Sequence, residues 1–525
     1  MKRTKTIVFI LMALMFPTSM LWGASVAKQA PTDTLTVALS DLGEETFLPW
    51  NGGMGRNSYL FMIYECLAYT DPKTEQMIPG LAIKWEMSPD GKAWTFWIRK
   101  GVQFHEGWGE LTAEDVKYSI ERVMGPKSIA TAASSLRALI EKIEVQEPYK
   151  VVFYLKSPYV GLIGNYLYDG NPSGIIVCKK YVETVGDEKA SAHPIGTGPY
   201  TLAEEHKKGG PIKLKTIEGV EKHWRVNPEF RTVTFLAIRE EATRVVMLKT
   251  GEADLAPISY DSIDTIKASG LHIVSIPKSW NPLIRFGGIV TTDPKRYNPA
   301  NPWVKKEVRQ ALNYAVDKEA IAKNIFKGEA VTSGADAPVT AWLDIPTYPY
   351  DPAKAKQLLA AAGYPNGFPV TLKTFSSSPG AELPIIGETV AMYWKAVGID
   401  AKIVPTDWGT LRSEIIGAKT GNCLWTHRNG AFIDPGMSLD LNFDVNNVFT
   451  TYATPESTSR YIKVKAELDL KKRDQLVKEF GLFVRDEAAG IYLVIANEPY
   501  GASKKVGKWP TLRIKPQNID MITHP

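Results

Sequence analysis

The chain has 525 residues, too many for one compact core, and its 44% hydrophobic and 23% charged content is ordinary for a globular protein. Of its formal net charge of +5, three units lie in the first five residues; the remaining +2 argues against nucleic acid or a membrane surface as partner. The three cysteines, Cys66, Cys178 and Cys423, are spaced unlike a zinc site and allow at most one intramolecular disulfide.

The N-terminus reads as an export signal. Lys2, Arg3 and Lys5 precede an apolar run from Ile7 to Phe16, too short to span a bilayer. Ser25 and Ala27 place cleavage after Ala27, and no cysteine nearby offers a lipid anchor. The mature protein is therefore expected to be periplasmic and not a lipoprotein.

Leu35 to Leu39 alternate as a strand with one buried face. Gly52, Gly53 and Gly55 then open a loop ahead of an apolar helix carrying Leu60, Ile63, Tyr64 and Leu67. Such a loop can hold an anion through backbone N–H groups, although it lacks the lysine and hydroxyl of a nucleotide loop. Trp94, Phe96 and Ile98 alternate as a strand after the turn at Pro89-Asp90-Gly91. Thr112 and Asp115 form a capping box before a helix with Val116, Ile120 and Val123. His105 has no second ligand or carboxylate pair at useful spacing and reads as structural. The run HPIGTGPYTL (193–202) lacks the third glycine of a dinucleotide fingerprint.

From Asn301-Pro302 a helix is expected along Val304, Val308, Leu312, Ala315 and Val316. Asp317 caps a second helix ending near Gly328, and Asp351-Pro352 starts a third that stops at Gly363. Val370–Phe375, a helix through Ile385 to Val397, and 399–403 then read as a β-α-β unit, implying a parallel pairing with the helix outside. Leu468, Leu476, Phe480 and Phe483 mark a long helix, and Ile491 to Ile495 a returning strand.

Several of these stretches, in this order, resemble the family 5 extracellular solute-binding proteins of ABC transporters: the dipeptide-, oligopeptide- and nickel-binding receptors. The motifs are FWIRKGVQFHEGWGELTAEDVKYS, GTGPY, RVVMLKTGEADLAP, VRQALNYAVDKEAI and YDPAKAKQLLAAAGYP. The resemblance implies an α/β periplasmic binding protein type II (cluster C) fold, with two large lobes joined by a hinge, a small extra domain, and ligand in the interlobe cleft. It implies lobe I from 28–75, 191–285 and 495–525, the small domain from 76–190, and lobe II from 286–494. It further implies a monomer without cofactor or metal, delivering a small molecule to an inner-membrane permease with its cytoplasmic ATPase.

By the same resemblance Gly52, Gly53 and Met54 face the cleft, and Trp408 and Trp425 line it. Peptide-binding relatives carry W-x-x-D at the second tryptophan, where the aspartate receives the peptide ammonium. Here Trp425 is followed three residues on by Arg428, whose permanent charge repels an ammonium and favours a carboxylate, phosphate or sulfate. GAFIDP (430–435) resembles the nickel-receptor-like members, so a chelate also fits. His427 and Asn429 are secondary contacts. The expectation is an anion receptor clamped by Arg428. The alternatives are a peptide receptor using Asp434 or Glu45, and an exported hydrolase, for which no G-x-S-x-G or H-E-x-x-H motif is present.

Overall fold

The computed structural model describes residues 33–377, 380–514 and 518–525. The expected signal sequence and its cleavage site lie outside these residues.

Strand β1 (Thr34–Leu39) buries Leu35 and Val37 completely and runs parallel to two later strands. After the glycine loop, helix α1 (Asn57–Ile63) stops earlier than its apolar run suggests. Tyr64 is extended and Glu65-Cys66 pair with Ile175-Ile176, so Tyr64 and Leu67 are core residues outside the helix. The stop is set by the GTGPY turn packed against it. Gly198 N–H donates to Ile63 O at 2.8 Å, and a Cβ at Gly198 would lie 2.5 Å from Met62 O.

A separate four-stranded sheet follows, from β2 (Ala82–Met87), β3 (Ala93–Ile98), β4 (Ile140–Glu147) and β5 (Lys150–Leu155), in the order β2-β3-β5-β4. On β3 the buried positions are Trp94, Phe96 and Ile98, as alternation requires. The helix at Ala113–Val123, hereafter α2, starts at the expected capping box, Asp115 accepting from Thr112 N at 2.9 Å. His105 is buried between the glycines of the GTGPY turn. Its Nε2 lies 2.7 Å from Gly198 O and its Nδ1 accepts from Gly196 N at 3.3 Å. Burial lowers its pKa to about 4, so the ring is a neutral structural bridge.

The large sheet begins again with β6 (Tyr200–Leu202), β7 (Ile212–Thr216), β8 (Thr232–Ala237) and β9 (Leu255–Pro257). The fifteen-residue β10 (His272–Phe286) comes next. Its first half pairs with the strand returning from the far end of the chain, and its second half pairs with a strand near residue 427.

Helix α3 (Lys306–Tyr314) starts four residues later than expected. Pro302–Val304 is a single 3-10 turn, and extended Lys305 (ψ 129°) separates it from α3. Helices α4 (Lys318–Asn324) and α5 (Pro352–Ala361) are capped as expected, Asp317 accepting from Ala320 N at 2.9 Å and Asp351 from Lys354 N at 2.8 Å. The β-α-β unit is present as β11 (Phe368–Thr374), α6 (Leu383–Lys395) and β12 (Ile399–Pro405), with the strands parallel.

Helix α7 (Trp408–Ile416), β13 (Leu424–Gly430) and α8 (Pro435–Phe443) then build the region richest in candidate site residues. The long helix α9 (Leu470–Asp486) leads to β14 (Val494–Ala502). The sheet order is β6-β7-β8-β1-β9-β14-β10-β13-β11-β12, with two short strands attached at β14 and β10. Strands β14 and β10 lie at its centre and connect the two halves. Two hydrophobic cores accompany the halves, one around Leu35, Tyr59, Phe96 and Phe235, the other around Trp280, Leu312, Trp394 and Phe480. The three cysteines are buried and free.

Candidate functional site

Strand β13 brings the candidate residues to the centre of the sheet, where Arg428 is paired opposite Pro282 of β10. Arg428 borders two cavities at once. The first, about 280 Å³, is walled by Phe375, Trp408, His427, Leu441 and Phe449. The second, about 190 Å³, draws on residues distant in sequence, including Met54, Tyr168, Trp280, Met437 and Glu498. Arg428, Gly430 and Phe432 border both.

The guanidinium is held by Ser377, which borders the first cavity too; its Nε donates to Ser377 Oγ at 3.0 Å. Burial lowers its pKa, and the Glu498 charge works against that. Removal from water disfavours the cation, so an anionic group arriving in either cavity would relieve the cost.

Trp408 is the first residue of α7, a helix capped by Asp407, whose Oδ1 accepts from Thr410 N at 2.9 Å. This start directs the indole, 36% exposed, into the aromatic wall. Its ring centroid is 5.2 Å from Phe375, 5.8 Å from His427 and 6.5 Å from Phe449. His427 is held well below the usual imidazole pKa by burial and then by the Arg285 and Arg428 charges, so the ring is neutral.

Asn429 also borders the first cavity, but its amide is committed below, donating to Asp336 O at 2.6 Å and Oδ2 at 3.2 Å. Asp336 pairs with Arg285 at 2.5 Å, and Arg285 also donates to Asn442 Oδ1 at 2.8 Å. This buried network ties Asn429 to Arg285 and Asn442.

The other expected site residues do not border the first cavity. Trp425 lies deeper on β13, 2% exposed in the second core. It borders a separate space of about 20 Å³ beside Phe286 and Thr451, away from Arg428. Asp434 is committed to structure: it caps α8 through Gly436 N at 2.7 Å and is gripped by Arg473 at 2.7 and 2.9 Å. Gly52 and Gly53 border neither cavity. Gly53 N donates to Glu44 Oε2 at 3.1 Å, and the buried Arg56 ties the loop together through Leu48 O at 2.7 Å. Only Met54 of that loop reaches the second cavity. Glu45, the other carboxylate considered for a peptide ammonium, is occupied by His206 at 2.9 Å and Gly209 N at 2.6 Å.

Sequence reasoning missed Phe375, Ser377, Leu441, Phe449 and Glu498. Phe432 lies within the GAFIDP run, which was noticed for another reason. The others lie between 13 (Leu441) and 70 (Glu498) residues from Arg428 in sequence, and no local pattern links them.

Among the described residues no group of three or more His, Cys, Asp or Glu side chains is placed to hold a metal ion, and no helix is long and apolar enough to cross a membrane.

Residues 76–450 match the model of the bacterial extracellular solute-binding proteins, family 5 Middle. The chain is similar to the dipeptide-binding protein of Escherichia coli (strain K12), 28% identical across 89% of this chain and 90% of that one. It is also similar to the glutathione-binding protein GsiB of Salmonella choleraesuis (strain SC-B67), 32% identical over 64% of this chain and 62% of the relative. Among solved structures, HbpA2 from Haemophilus parasuis superposes with a TM-score of 0.79 at 20% identity, covering 94% of this chain and all (100%) of that one. The periplasmic binding protein DppA from Helicobacter pylori, in complex with peptide STSA, gives 0.72 at 23% identity, covering 94% and 98%. NikZ from Campylobacter jejuni, in complex with Ni(L-His), gives 0.70 at 22% identity, covering 92% and 96%. The fold is that of the type II periplasmic binding proteins.

Proposed function

Because the chain belongs to the family 5 bacterial extracellular solute-binding proteins, the substrate-binding components of ABC importers, we propose that it captures a small anionic ligand on Arg428. The observation that carries this reading is the position of Arg428 bordering two cavities, with its Nε on Ser377 Oγ. Family members are binding proteins that work with an ABC permease and its ATPase, and the family is periplasmic. For this chain the proposal is a monomeric receptor, exported by a cleaved signal, that performs no turnover.

Capture works by hinge closure. Lobe I is assigned to 28–75, 191–285 and 495–525, the small domain to 76–190, and lobe II to 286–494. Strands β10 and β14 cross between the lobes and form the hinge. Their pairing is interrupted between Ile276 and Trp280, where Lys278 has φ +48°. That interruption supplies a place where the strands can bend without breaking the rest of the ladder.

A second reading rests on Glu498, which borders the same cavity as Arg428. A peptide could place its ammonium toward Glu498 and its carboxylate on Arg428. Glu498 would then take the role considered for Asp434 or Glu45.

The test is thermal unfolding of the mature protein against small carboxylates, phosphate, metal chelates and short peptides. A ligand at about 100 times its Kd adds roughly 2.7 kcal/mol, readable as a rise in Tm. The proposal expects anions to shift Tm without a free amino group being required. A shift only with peptides bearing free N-termini supports the Glu498 reading instead.

A further inference from the structure

Resting on the two-lobe closure put forward above, we propose that Arg513 and Asn165 form a two-point latch that holds the lobes together beside the cavity of Arg428. Both are positioning residues: they act on capture by setting how much of the protein is closed.

Arg513 and Asn165 are buried, and both border the cavity of about 190 Å³ that Arg428 also borders. Arg513 donates from Nη1 to Pro338 O at 2.7 Å and from Nη2 to Thr340 Oγ1, and its Nη2 lies 2.7 Å from Glu75 Oε2. Pro338 and Thr340 flank Val339, which is bridged to Phe432, four residues past Arg428. Arg513 thus grips a segment bonded to the continuation of the strand that carries Arg428. The second point lies two residues beyond Phe432, where Asn165 Nδ2 donates to Asp434 Oδ1 at 3.1 Å. Apolar contact accompanies it: Ala431 is buried in the first core, and Ile433 and Met437 pack against that core. In the lobe assignment above, Arg513 and Glu75 belong to lobe I and Asn165 to the small domain. Pro338, Thr340 and Asp434 belong to lobe II.

The placing of the charges makes this a latch rather than a fixed joint. Each point contains one ion pair, and each ion pair stays on one side: Arg513 with Glu75 in lobe I, Asp434 with Arg473 in lobe II. What crosses is a set of hydrogen bonds, to a carbonyl, to a hydroxyl and from an amide. Opening hands those groups to water and leaves neither charge without its counter-ion, which is the costly event when buried ion pairs are parted. Had the ion pairs themselves crossed, separation would strand a charge on each side. The Arg513 and Asn165 bonds each include one charged partner, so they hold more strongly than neutral ones while remaining breakable. Because apparent affinity falls with the fraction of protein that is competent to bind, such a latch strengthens capture without selecting the ligand.

The experiment is small-angle X-ray scattering of the mature protein, refolded from guanidinium to strip any bound solute, with Tm measured on the same samples. Arg513→Met keeps the length of the side chain and removes its crossing bonds; Asn165→Ala removes the other. Each is expected to raise the radius of gyration above wild type, the double variant most, while Arg428→Gln keeps the wild-type radius. A merely structural role would lower Tm and leave the radius of a folded variant unchanged, and that result overturns the latch. An Arg428→Gln protein as expanded as the double variant also overturns it, since closure would then depend on Arg428 instead. If Arg513→Met does not fold, Thr340→Val and Asn165→Ala, neither of which removes a charge, are read in the same way. The scattering requires no anion, so failure here leaves the capture of an anion on Arg428 to be decided by titration.

Discussion

Arg473 holds Asp434 in a two-point ion pair, Nη1 to Oδ2 at 2.7 Å and Nη2 to Oδ1 at 2.9 Å, while Asn165 Nδ2 donates to the same carboxylate at 3.1 Å. Burial opposes ionisation, but the Arg473 bonds and charge outweigh it and leave the Asp434 pKa below the ordinary carboxylate value. The partners lie 39 and 269 residues away in sequence, so the contact joins α8 and α9 to the segment around Asn165. It also explains why the carboxylate nearest to Arg428 in sequence is unavailable to a ligand.

Removing Arg473 strands that buried carboxylate. Arg473→Ala is expected to cost about 3–5 kcal/mol, measured by urea unfolding at neutral pH. The folded pKa of Asp434 is depressed, so its contribution is present above the unfolded carboxylate range and is lost as pH falls through the folded value. The difference between wild type and Arg473→Ala should therefore shrink in acid. A full-sized difference persisting at pH 2 would contradict the ion-pair account.

Asp169 has the opposite sign. It is 2% exposed, accepts from Thr70 N and Oγ1 at 3.1 and 3.0 Å, and has Oδ2 enclosed without a partner. Burial pushes its pKa up to about 7 from 3.8. Between those values the folded chain binds more protons than the unfolded chain, so this group lowers stability as pH rises from about 4 to about 7. Asp169→Asn is expected to remove that slope, a change on the order of a few kcal/mol between the two ends. Parallel stability–pH curves for wild type and variant would contradict it.

Lys318, at the start of α4, is 3% exposed and reaches Asn313 Oδ1 and Tyr348 O, each at 3.4 Å. Burial, and then the Arg485 charge, lower its pKa to about 7 from 10.5. Here the unfolded chain binds more protons between about pH 7 and 10.5, so stability from this group rises across that window. Lys318→Met is expected to be more stable than wild type at pH 7 by roughly 1–4 kcal/mol, the advantage fading toward pH 10. Chemical denaturation at both pH values measures it.

The proposed hinge makes a backbone prediction. Lys278 occupies the left-handed region at φ +48° in the interruption of the β10–β14 ladder, and its N–H donates to Asn497 Oδ1 at 2.9 Å. Lys278→Gly is expected to stabilise by about 0.5–1 kcal/mol and Lys278→Val to destabilise by at least about 1 kcal/mol. If these strands carry lobe closure, Lys278→Pro should also slow the fluorescence change that follows ligand addition, since the lost N–H releases Asn497 and proline cannot adopt φ +48°. An unchanged rate would remove this bend from the closure mechanism.

Much of the fold was legible because its signals are local. Thr112 with Asp115, Asp317 and Asp351 each announce a helix start within four residues, and the bonds form where those patterns place them. Where reading failed, a distant contact overrode a local pattern. The GTGPY turn ends α1 at Ile63 from more than a hundred residues away, and an apolar run alone could not show that. Similarly, the stripe from Val304 to Leu312 has helical spacing, yet Lys305 is extended and divides it.

At the site, Arg428 stood out because its charge is opposite to the aspartate of the motif it interrupts. Its neighbours did not. Ser377 is 51 residues away, and Glu498 reaches the same cavity from β14. Trp425 shares the motif with Arg428 and still belongs to the core, since membership of one strand does not place two side chains in one cavity.

The measurement that bears most directly on the account is calorimetric titration of Arg428→Gln beside wild type, using the carboxylate that gives the largest Tm shift. The substitution removes the charge while retaining an amide donor. The expected result is a loss of affinity of at least about tenfold, as for a charge-assisted hydrogen bond, with Tm of the unliganded protein unchanged or raised. Wild-type affinity in a normally folded Arg428→Gln protein would show that the anion is held elsewhere and would contradict the central claim.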